Sequence, residues 1–425
     1  MLQRIEAAEA EIGMFVERLE GNWLRHPFWK RRFVLSDEKQ LRVLRESSVP
    51  GVIIDTSRGC LPKNCAEDNN SASEREPAKP LASGIFASEP LVAPRGSAPV
   101  IPVRIELPGA REFGRAKAVA DRSQKVISRV FLNARLGEKI KLADVEAVVE
   151  EIYESVASNP HTLTGILRCQ AETGEVYRHA LASCALMISL GRTLKLSRDD
   201  IRLAGLTGLL MDVGVGQMSD HLAEVDGDYR ALPQPIMEQH VAYGHDVLSL
   251  AGDVPQEVVR ACLDHHERVD GSGFPFGIIG DQIGILAKMA AVCDDFDFLV
   301  SGGYNRPPLD PAMALEQIQR QQDSYDDTVL AGFSGSVGIY PIGTFVELES
   351  GLIAMVVDIN QDDPSLPMVR AFHSIRLDKS VKQQTIDLRF TYGTDKIISV
   401  IDTAAFDLPP AGMLRKRLLT RAYQE

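Results

Sequence analysis

Long apolar runs are missing from this 425-residue chain, and none approaches the roughly 20 residues that a membrane-spanning helix needs. Positive charge is also in short supply, because 46 Lys and Arg stand against 59 Asp and Glu and give a net charge of −13. Nucleic-acid polymers and anionic membrane surfaces bind to clustered Lys and Arg, so this balance argues against either as a partner. It leaves open a small anionic ligand in a local positive or metal-lined pocket.

Cysteine is sparse, and the spacing of the cysteines does not indicate disulfide pairs. Of the six cysteines, only Cys60 and Cys65 lie close together, and their surroundings are typical of a linker. The first residues, MLQRIEAAEAEIG, are acidic and amphipathic, unlike a signal peptide. These features predict a reduced, cytoplasmic protein.

Changes in composition divide the chain into four parts. Residues 1–60 contain short strand-like runs around a helical pattern and predict a small N-terminal α/β module. Residues 61–104 are rich in Pro, Ser, Ala and Asn without a period, which indicates a flexible linker. Residues 105–331 carry amphipathic helical patterns, and residues 332–425 alternate and have turn glycines at Gly343 and Gly351. We therefore expect a mainly α protein, with an all-helical metal-binding domain ahead of a C-terminal β-rich extension.

The C-terminal extension leaves one question open. Its strands could pack on the helical domain or form a separate interaction surface. Its last residues, LLTRAYQE, are expected to form a short tail.

Histidines and carboxylates recur in the helical part at positions that apolar residues flank. Glu175 and His179 are four residues apart, so their side chains meet on one face of a helix. Any one such residue, taken alone, is more often a hydrogen-bonded histidine or a capping aspartate. Several half-buried groups without partners would each cost about 1–3 kcal/mol, and a shared cation removes that cost. The candidate ligands are Glu175, His179, Asp212, His240, His265, His266 and Asp294.

The chemistry of these donors narrows the kind of metal. They offer nitrogen and oxygen but no thiolate, which suits iron, manganese, zinc or magnesium rather than a cysteine-based structural zinc. A bridging carboxylate can hold two metals about 3.5–4 Å apart, and that arrangement supports in-line phosphodiester hydrolysis.

The order and spacing of these residues match a known family. HHERVDGSGFPFG, at residues 265–277, resembles the HHExxDGxGYPxG signature of the HD-GYP domain, with Phe274 where the family has tyrosine. AVCDDFDFL is similar to the family's AVADxFDAL and includes Asp294 and Asp297. HD-GYP domains are a bacterial branch of the HD metal-dependent phosphohydrolases, and their substrate is cyclic di-GMP. The resemblance covers residues 175–306 and the N-terminal module. The matched signature residues are His265, His266, Glu267, Asp270, Gly271, Gly273, Pro275 and Gly277.

The resemblance implies roles for individual residues. All seven candidate ligands would hold two or more divalent metals, iron or manganese, and Asp212 would bridge two of them. Asp212 and Asp294 would be the catalytic carboxylates. Diguanylate cyclase domains of the GGDEF type would be possible partners, contacting the glycine-rich loop, and a homodimer would be a possible assembly. The substrate-binding residues would be Gly271, Gly273, Phe274 and Arg306.

Three departures from the family pattern affect the expected site. The chain reads MDVGV at residues 211–215 where the family has HDIGK. Met211 offers only a soft, neutral thioether, and Val215 replaces a lysine that would meet the substrate phosphate. SGGYNRPP replaces an SDRPYR-like segment, so Gly303 stands for its first arginine and Arg306 for its second basic residue. One metal site should therefore be weakened.

Two functions from different classes remain open. One is weak hydrolysis of cyclic di-GMP by the retained ligands. The other is non-catalytic signalling or scaffolding, in which the protein binds metal, cyclic di-GMP or a cyclase partner without turnover. A third hypothesis, that the substrate is another nucleotide, is less favoured. Neither His221 nor His245 is expected to replace the missing histidine.

Overall fold

The computed structural model describes residues 2–19, 33–35, 38–45, 52–56, 110–169, 175–225, 227–360, 362–391 and 395–424. These residues belong to two compact units, Met1–Pro102 and Val103–Glu425. The predicted linker at residues 61–104 lies outside the described residues. Within the described ranges, every helix is too short or too polar to cross a membrane.

The described residues of the first unit form a small antiparallel sheet and one α-helix. Its core contains Met14, Val16, Leu35, Leu44 and Ile54. The sheet order is β1-β4-β2-β3, with elements β1 Leu2–Ile5, β2 Phe15–Leu19, β3 Phe33–Val34, α1 Glu38–Arg45 and β4 Val52–Asp55. The small α/β module predicted from the sequence is confirmed, but strand β1 was not predicted. That strand is specified by its pairing with β4, in which Leu2 lies opposite Asp55.

The second unit begins with a bundle of helices. Helix α5 runs through its centre, and residues 179–191 are all buried. A helix that is apolar on every side needs neighbours all round, and α5 packs against both α6 and α11. The helices are α2 Ala110–Leu136, α3 Leu142–Ser158, α4 Thr162–Cys169, α5 Glu175–Thr193, α6 Arg198–Leu210, α7 Ser219–Leu222, α8 Gln234–Met237, α9 Gln239–Ala251, α10 Gln256–Asp264, α11 Ile285–Ser301, α12 Pro311–Arg320 and α13 Asp327–Val337.

A five-stranded antiparallel sheet and a last helix complete the second unit. Phe345, Met355 and Phe372 from the sheet are buried in the same apolar core as the helices, so the β-rich extension packs on the helical domain. The sheet order is β8-β7-β6-β5-β9, with elements β5 Phe345–Leu348, β6 Leu352–Asp358, β7 Met368–Ser374, β8 Lys379–Asp387, β9 Ile397–Val400 and α14 Ala411–Gln424.

The prediction that the last residues form a short tail is wrong. Residues 418–425, LLTRAYQE, lie almost entirely within α14 rather than in a loose end. Leu418, Leu419 and Tyr423 are buried. The Tyr423 ring stacks on Phe113 with ring centroids 5.1 Å apart, and its hydroxyl donates to the Val357 carbonyl at 3.3 Å. The sequence did not reveal these partners because they lie far away along the chain.

Candidate metal centre

The helical bundle gathers two groups of potential metal ligands. Within each group, the ligand atoms all lie within 4.8 Å of one another, and every residue is buried. The histidine set is His240, His265 and His266; the carboxylate set is His179, Asp212 and Asp294. These are six of the seven ligands expected from the sequence. The seventh, Glu175, begins α5, but its side chain lies outside the described part of the chain.

Gly214 allows Asp212 to approach His240. The 3₁₀ turn Val213–Met218 follows Asp212 and packs directly on α9. A Cβ atom on Gly214 would lie 2.0 Å from the His240 carbonyl oxygen and 2.3 Å from the Gly244 nitrogen. Only glycine fits so close to another backbone. With this packing, His240 Nε2 lies 3.6 Å from Asp212 Oδ1.

The histidine set is arranged to bind a cation. His240 Nδ1 lies 2.5 Å from the Met237 carbonyl oxygen, and His265 Nδ1 lies 2.7 Å from that of Cys262. A carbonyl only accepts, so each Nδ1 carries a hydrogen, and in the neutral ring Nε2 presents a lone pair. These two Nε2 atoms are 3.4 Å apart. Two ring nitrogens this close together suit a shared metal ion.

Two further observations support the fit. Burial lowers the pKa of His240 to about 4, which keeps the imidazole neutral and able to act as a ligand at neutral pH. His266 Nε2 is buried and has no hydrogen-bond partner among the described residues. Asp212 Oδ1 lies 3.8 Å from His265 Nε2, so a carboxylate oxygen completes the set. The nitrogen and oxygen donors present fit a divalent metal such as iron, manganese or zinc.

The carboxylate set is arranged differently, around His179. His179 Nε2 lies 2.8 Å from Asp294 Oδ1 and 3.1 Å from Asp212 Oδ2. Its Nδ1 lies 2.8 Å from Asp297 Oδ2. Burial would lower the pKa of His179, but the hydrogen bonds to the three aspartates raise it well above its ordinary value. In the metal-free chain the raised pKa favours an imidazole that donates to these carboxylates.

A second cation also lies in the carboxylate set. Arg230 Nη2 donates to Asp294 Oδ1, and Arg230 Nε donates to the Tyr229 hydroxyl at 2.8 Å. Tyr229 in turn donates to Asp212 Oδ1 at 2.7 Å. Neither Tyr229 nor Arg230 was predicted as a site residue. Their position was the available signal, since they lie in the segment between Asp212 and His240.

The glycine-rich loop covers the histidine set. The Phe274 ring stacks on His266 with centroids 4.5 Å apart and planes at 25°. A Cβ atom on Gly273 would lie 2.4 Å from the His266 carbonyl oxygen, so the loop folds back tightly on the ligand segment. Glu267 is buried and accepts hydrogen bonds from the Phe276 and Ile278 backbone nitrogens at 2.7 Å and 3.2 Å. It therefore fixes the loop.

The positions expected to bind phosphate differ in whether they carry a positive charge. Arg306 donates to the carbonyl oxygens of Phe298 and Gly302, each at 2.7 Å. Its guanidinium carbon lies 3.5 Å from the centroid of the Phe298 ring. Val215 is buried in an apolar cluster, so its side chain adds no charge to the site. Arg306 is thus the predicted phosphate-binding cation that the chain retains, and the backbone holds it in place.

Comparison with known proteins places the chain in a family. Residues 158–329 match the HD domain, and residues 2–145 match a domain of unknown function, DUF3391. The cyclic di-GMP phosphodiesterase PA4108 of Pseudomonas aeruginosa is 35% identical over 400 residues, covering 94% of this chain and 92% of that protein. This chain belongs to the HD-GYP family. The family membership predicted from HHERVDGSGFPFG and AVCDDFDFL is confirmed.

Two other known proteins show a more distant similarity to this chain. The cyclic di-GMP phosphodiesterase response regulator RpfG of Xanthomonas campestris is 32% identical over 133 residues, covering 30% of this chain and 34% of that protein. The solved structure of Bd1817, an HDG"Y"P protein from Bdellovibrio bacteriovorus, shares 14% identity with a TM-score of 0.43. It covers 78% of this chain and 98% of that chain.

Proposed function

We propose that this HD-GYP protein is a metal-dependent phosphodiesterase that hydrolyses cyclic di-GMP slowly. The observation that carries the proposal is the pair of buried Nε2 atoms of His240 and His265, which lie 3.4 Å apart beside Asp212. The 35% identity to a cyclic di-GMP phosphodiesterase over 94% of the chain supports the substrate. We further propose iron or manganese as the metal and the cytoplasm as the location.

We assign the steps of this proposed activity to individual residues of the chain. The histidine set holds the cation, and Asp212 and Asp294 are the proposed catalytic carboxylates beside it. When bound, a divalent cation supplies polarisation of a phosphoryl oxygen and activation of water. Phe274, Gly271 and Gly273 form the wall against which the substrate lies. Arg306 offers the positive charge that the substrate phosphate requires.

The low rate follows from two replacements. Val215 is 2% exposed and lies in an apolar cluster, so no ammonium reaches the phosphate from this position. Met211 is fully buried and offers a thioether, which binds hard or borderline cations poorly. Loss of a partner that only orients a ligand already costs about 10–100-fold in affinity or activity, and loss of a ligand itself should cost at least as much.

The second candidate function is non-catalytic signalling. It is favoured by Arg230, which holds Asp294 in a buried contact and so engages a proposed catalytic carboxylate. In this case the chain would bind cyclic di-GMP or a GGDEF-type cyclase domain without turnover. The cyclase contact would use the loop at residues 271–277, where Phe276 is 59% exposed. A homodimer is part of the same proposal and is tested by light scattering on the purified chain.

Turnover measured on the full chain separates the two functions. Protein reconstituted with iron or manganese is incubated with cyclic di-GMP, and the linear dinucleotide and GMP are quantified by chromatography. We expect slow product formation that His265→Ala abolishes. His245→Ala is the matched control, since His245 has a 42% exposed side chain and belongs to neither set. Tight binding of cyclic di-GMP with no product in any metal-loaded sample would favour the signalling function.

A further inference from the structure

Arg230 reaches both carboxylates of the carboxylate set. It donates directly to Asp294 Oδ1. It also donates to the Tyr229 hydroxyl, which donates onward to Asp212 Oδ1. One guanidinium therefore engages two of the residues that the sequence assigns to metal binding.

The guanidinium is held firmly in this position. The Arg230 side chain is 9% exposed, and the Asp294 carboxylate is fully buried. Its guanidinium carbon lies 4.4 Å from the centroid of the Phe298 ring and 5.3 Å from that of Tyr229. Stacking on two aromatic rings and hydrogen bonding to a carboxylate are the contacts that suit arginine better than lysine. These contacts together form a well-defined binding site for one cationic group.

The same part of the centre has lost a metal ligand. Met211 directly precedes Asp212 and stands where the family has a histidine. Two buried carboxylates close together need positive charge nearby, because leaving them unpaired in the interior is costly. Arginine keeps its charge at every accessible pH and can supply part of what a metal ion would supply.

The histidine set does not share this arrangement. Asp294 Oδ2 is buried with no hydrogen-bond partner among the described residues, and it lies 3.8 Å from His266 Nδ1. Asp294 thus gives one oxygen to Arg230 and turns the other towards the histidines. Among the described residues, the ring nitrogens of His240 and His265 contact backbone carbonyls and each other, and His266 Nε2 has no hydrogen-bond partner.

We propose that the Arg230 guanidinium takes the place of a second metal ion in the carboxylate set, so that the chain binds a single divalent cation at the histidine set. This inference rests on the proposed metal binding by the histidine set. It differs from the two or more metals that the family resemblance implies. Arg230 is a positioning residue here, since it acts on Asp294 and Asp212.

Metal stoichiometry tests the proposal without measuring activity. The full chain is loaded with Mn²⁺, freed of excess metal, and examined by elemental analysis and electron paramagnetic resonance. We expect wild-type protein to hold one manganese per chain with the uncoupled spectrum of an isolated ion. Arg230→Met, and more strongly Arg230→Met with Met211→His, should hold two, with the signature of an exchange-coupled pair, since two metals bridged by a carboxylate lie about 3.5–4 Å apart.

Matched variants separate charge from general disturbance. Arg230→Lys keeps the cation and should stay at one manganese. Arg268→Met removes another partly buried arginine, which pairs with Asp295 at 2.6 Å outside both sets, and should also stay at one. Thermal melting identifies any variant that is unfolded.

The outcomes distinguish the possible failures. A coupled pair in wild-type protein overturns the proposal without recourse to any variant. A folded Arg230→Met protein that still holds one manganese also overturns it. Wild-type protein that binds no manganese overturns the histidine set as a metal site, and with it the proposed hydrolysis.

Discussion

The hydroxyl of Tyr229 donates a 2.7 Å hydrogen bond to Asp212 Oδ1. Because this hydroxyl also accepts from Arg230, and Arg230 donates to Asp294, one chain of hydrogen bonds joins the end of α6 to α11. Buried carboxylates are almost always satisfied by a partner. The segment between α6 and α9 therefore supplies, from protein atoms alone, the partners that part of this centre needs.

Removing the Tyr229 hydroxyl should destabilise the metal-free protein. In Tyr229→Phe the ring remains in its apolar cluster, but Asp212 loses a buried donor, which costs about 1–3 kcal/mol of unfolding free energy. Urea unfolding in the presence of a chelator measures this difference. Tyr243→Phe is the control, since Tyr243 is 38% exposed and should change the value by less than about 0.5 kcal/mol. Equal stabilities for the two variants would contradict the prediction.

Adding a methyl group at Gly214 should separate Asp212 from His240. The new Cβ would lie 2.0 Å from the His240 carbonyl oxygen, and backbone cannot move aside as a flexible side chain can. We expect Gly214→Ala to cost about 1–3 kcal/mol or more and to weaken metal binding. Denaturant unfolding and a metal titration measure the two effects. Gly114→Ala should cost no stability, because Gly114 lies within helix α2 and has open space where its Cβ would lie.

Restoring the family's lysine alone should not restore activity. Val215 is 2% exposed and packs with Met218 and Tyr229, so an ammonium group there would be buried among apolar side chains. We expect Val215→Lys to lower the unfolding free energy by about 3 kcal/mol and to leave turnover unimproved. Ile339→Lys, at a 56% exposed position, should change stability by less than about 0.5 kcal/mol. A stable Val215→Lys protein with faster hydrolysis would show that the lysine finds a route to the substrate.

His161 should make the protein less stable in mild acid. Burial, and then the charge of Arg168, lower the pKa of His161 from 6.5 to about 4. Between these two values the unfolded chain binds a proton that the folded chain does not, so the stability contributed at neutral pH is lost as the pH falls from 6.5 to 4. The loss amounts to about 3 kcal/mol. Urea unfolding across this range should show a steeper decline for wild type than for His161→Gln, and parallel curves would refute the assignment.

The helices and the candidate ligands could be proposed from the sequence because their signals are local. Apolar residues three and four apart identify α3, and His265 and His266 lie within one unbroken motif. Arg230 could not be identified in this way. Its role depends on Asp294, which is 64 residues away along the chain and carries no pairing signal for it. Strand β8 is mostly polar and half-exposed, so it lacks the apolar alternation that marked its neighbours.

Helix α14 has a consequence for how this protein can be divided. Leu419 lies close to Gly165 of α4, and Arg415 donates to the Gly343 carbonyl oxygen at 2.8 Å and pairs with Asp310 at 3.2 Å. The segment that matches the HD domain ends at residue 329, well before α14 begins at residue 411. Excising that segment would strip apolar and charged contacts from the bundle's own interior. We therefore expect the segment at residues 158–329 not to fold on its own, and a shortened form of this protein should retain the carboxyl-terminal helix.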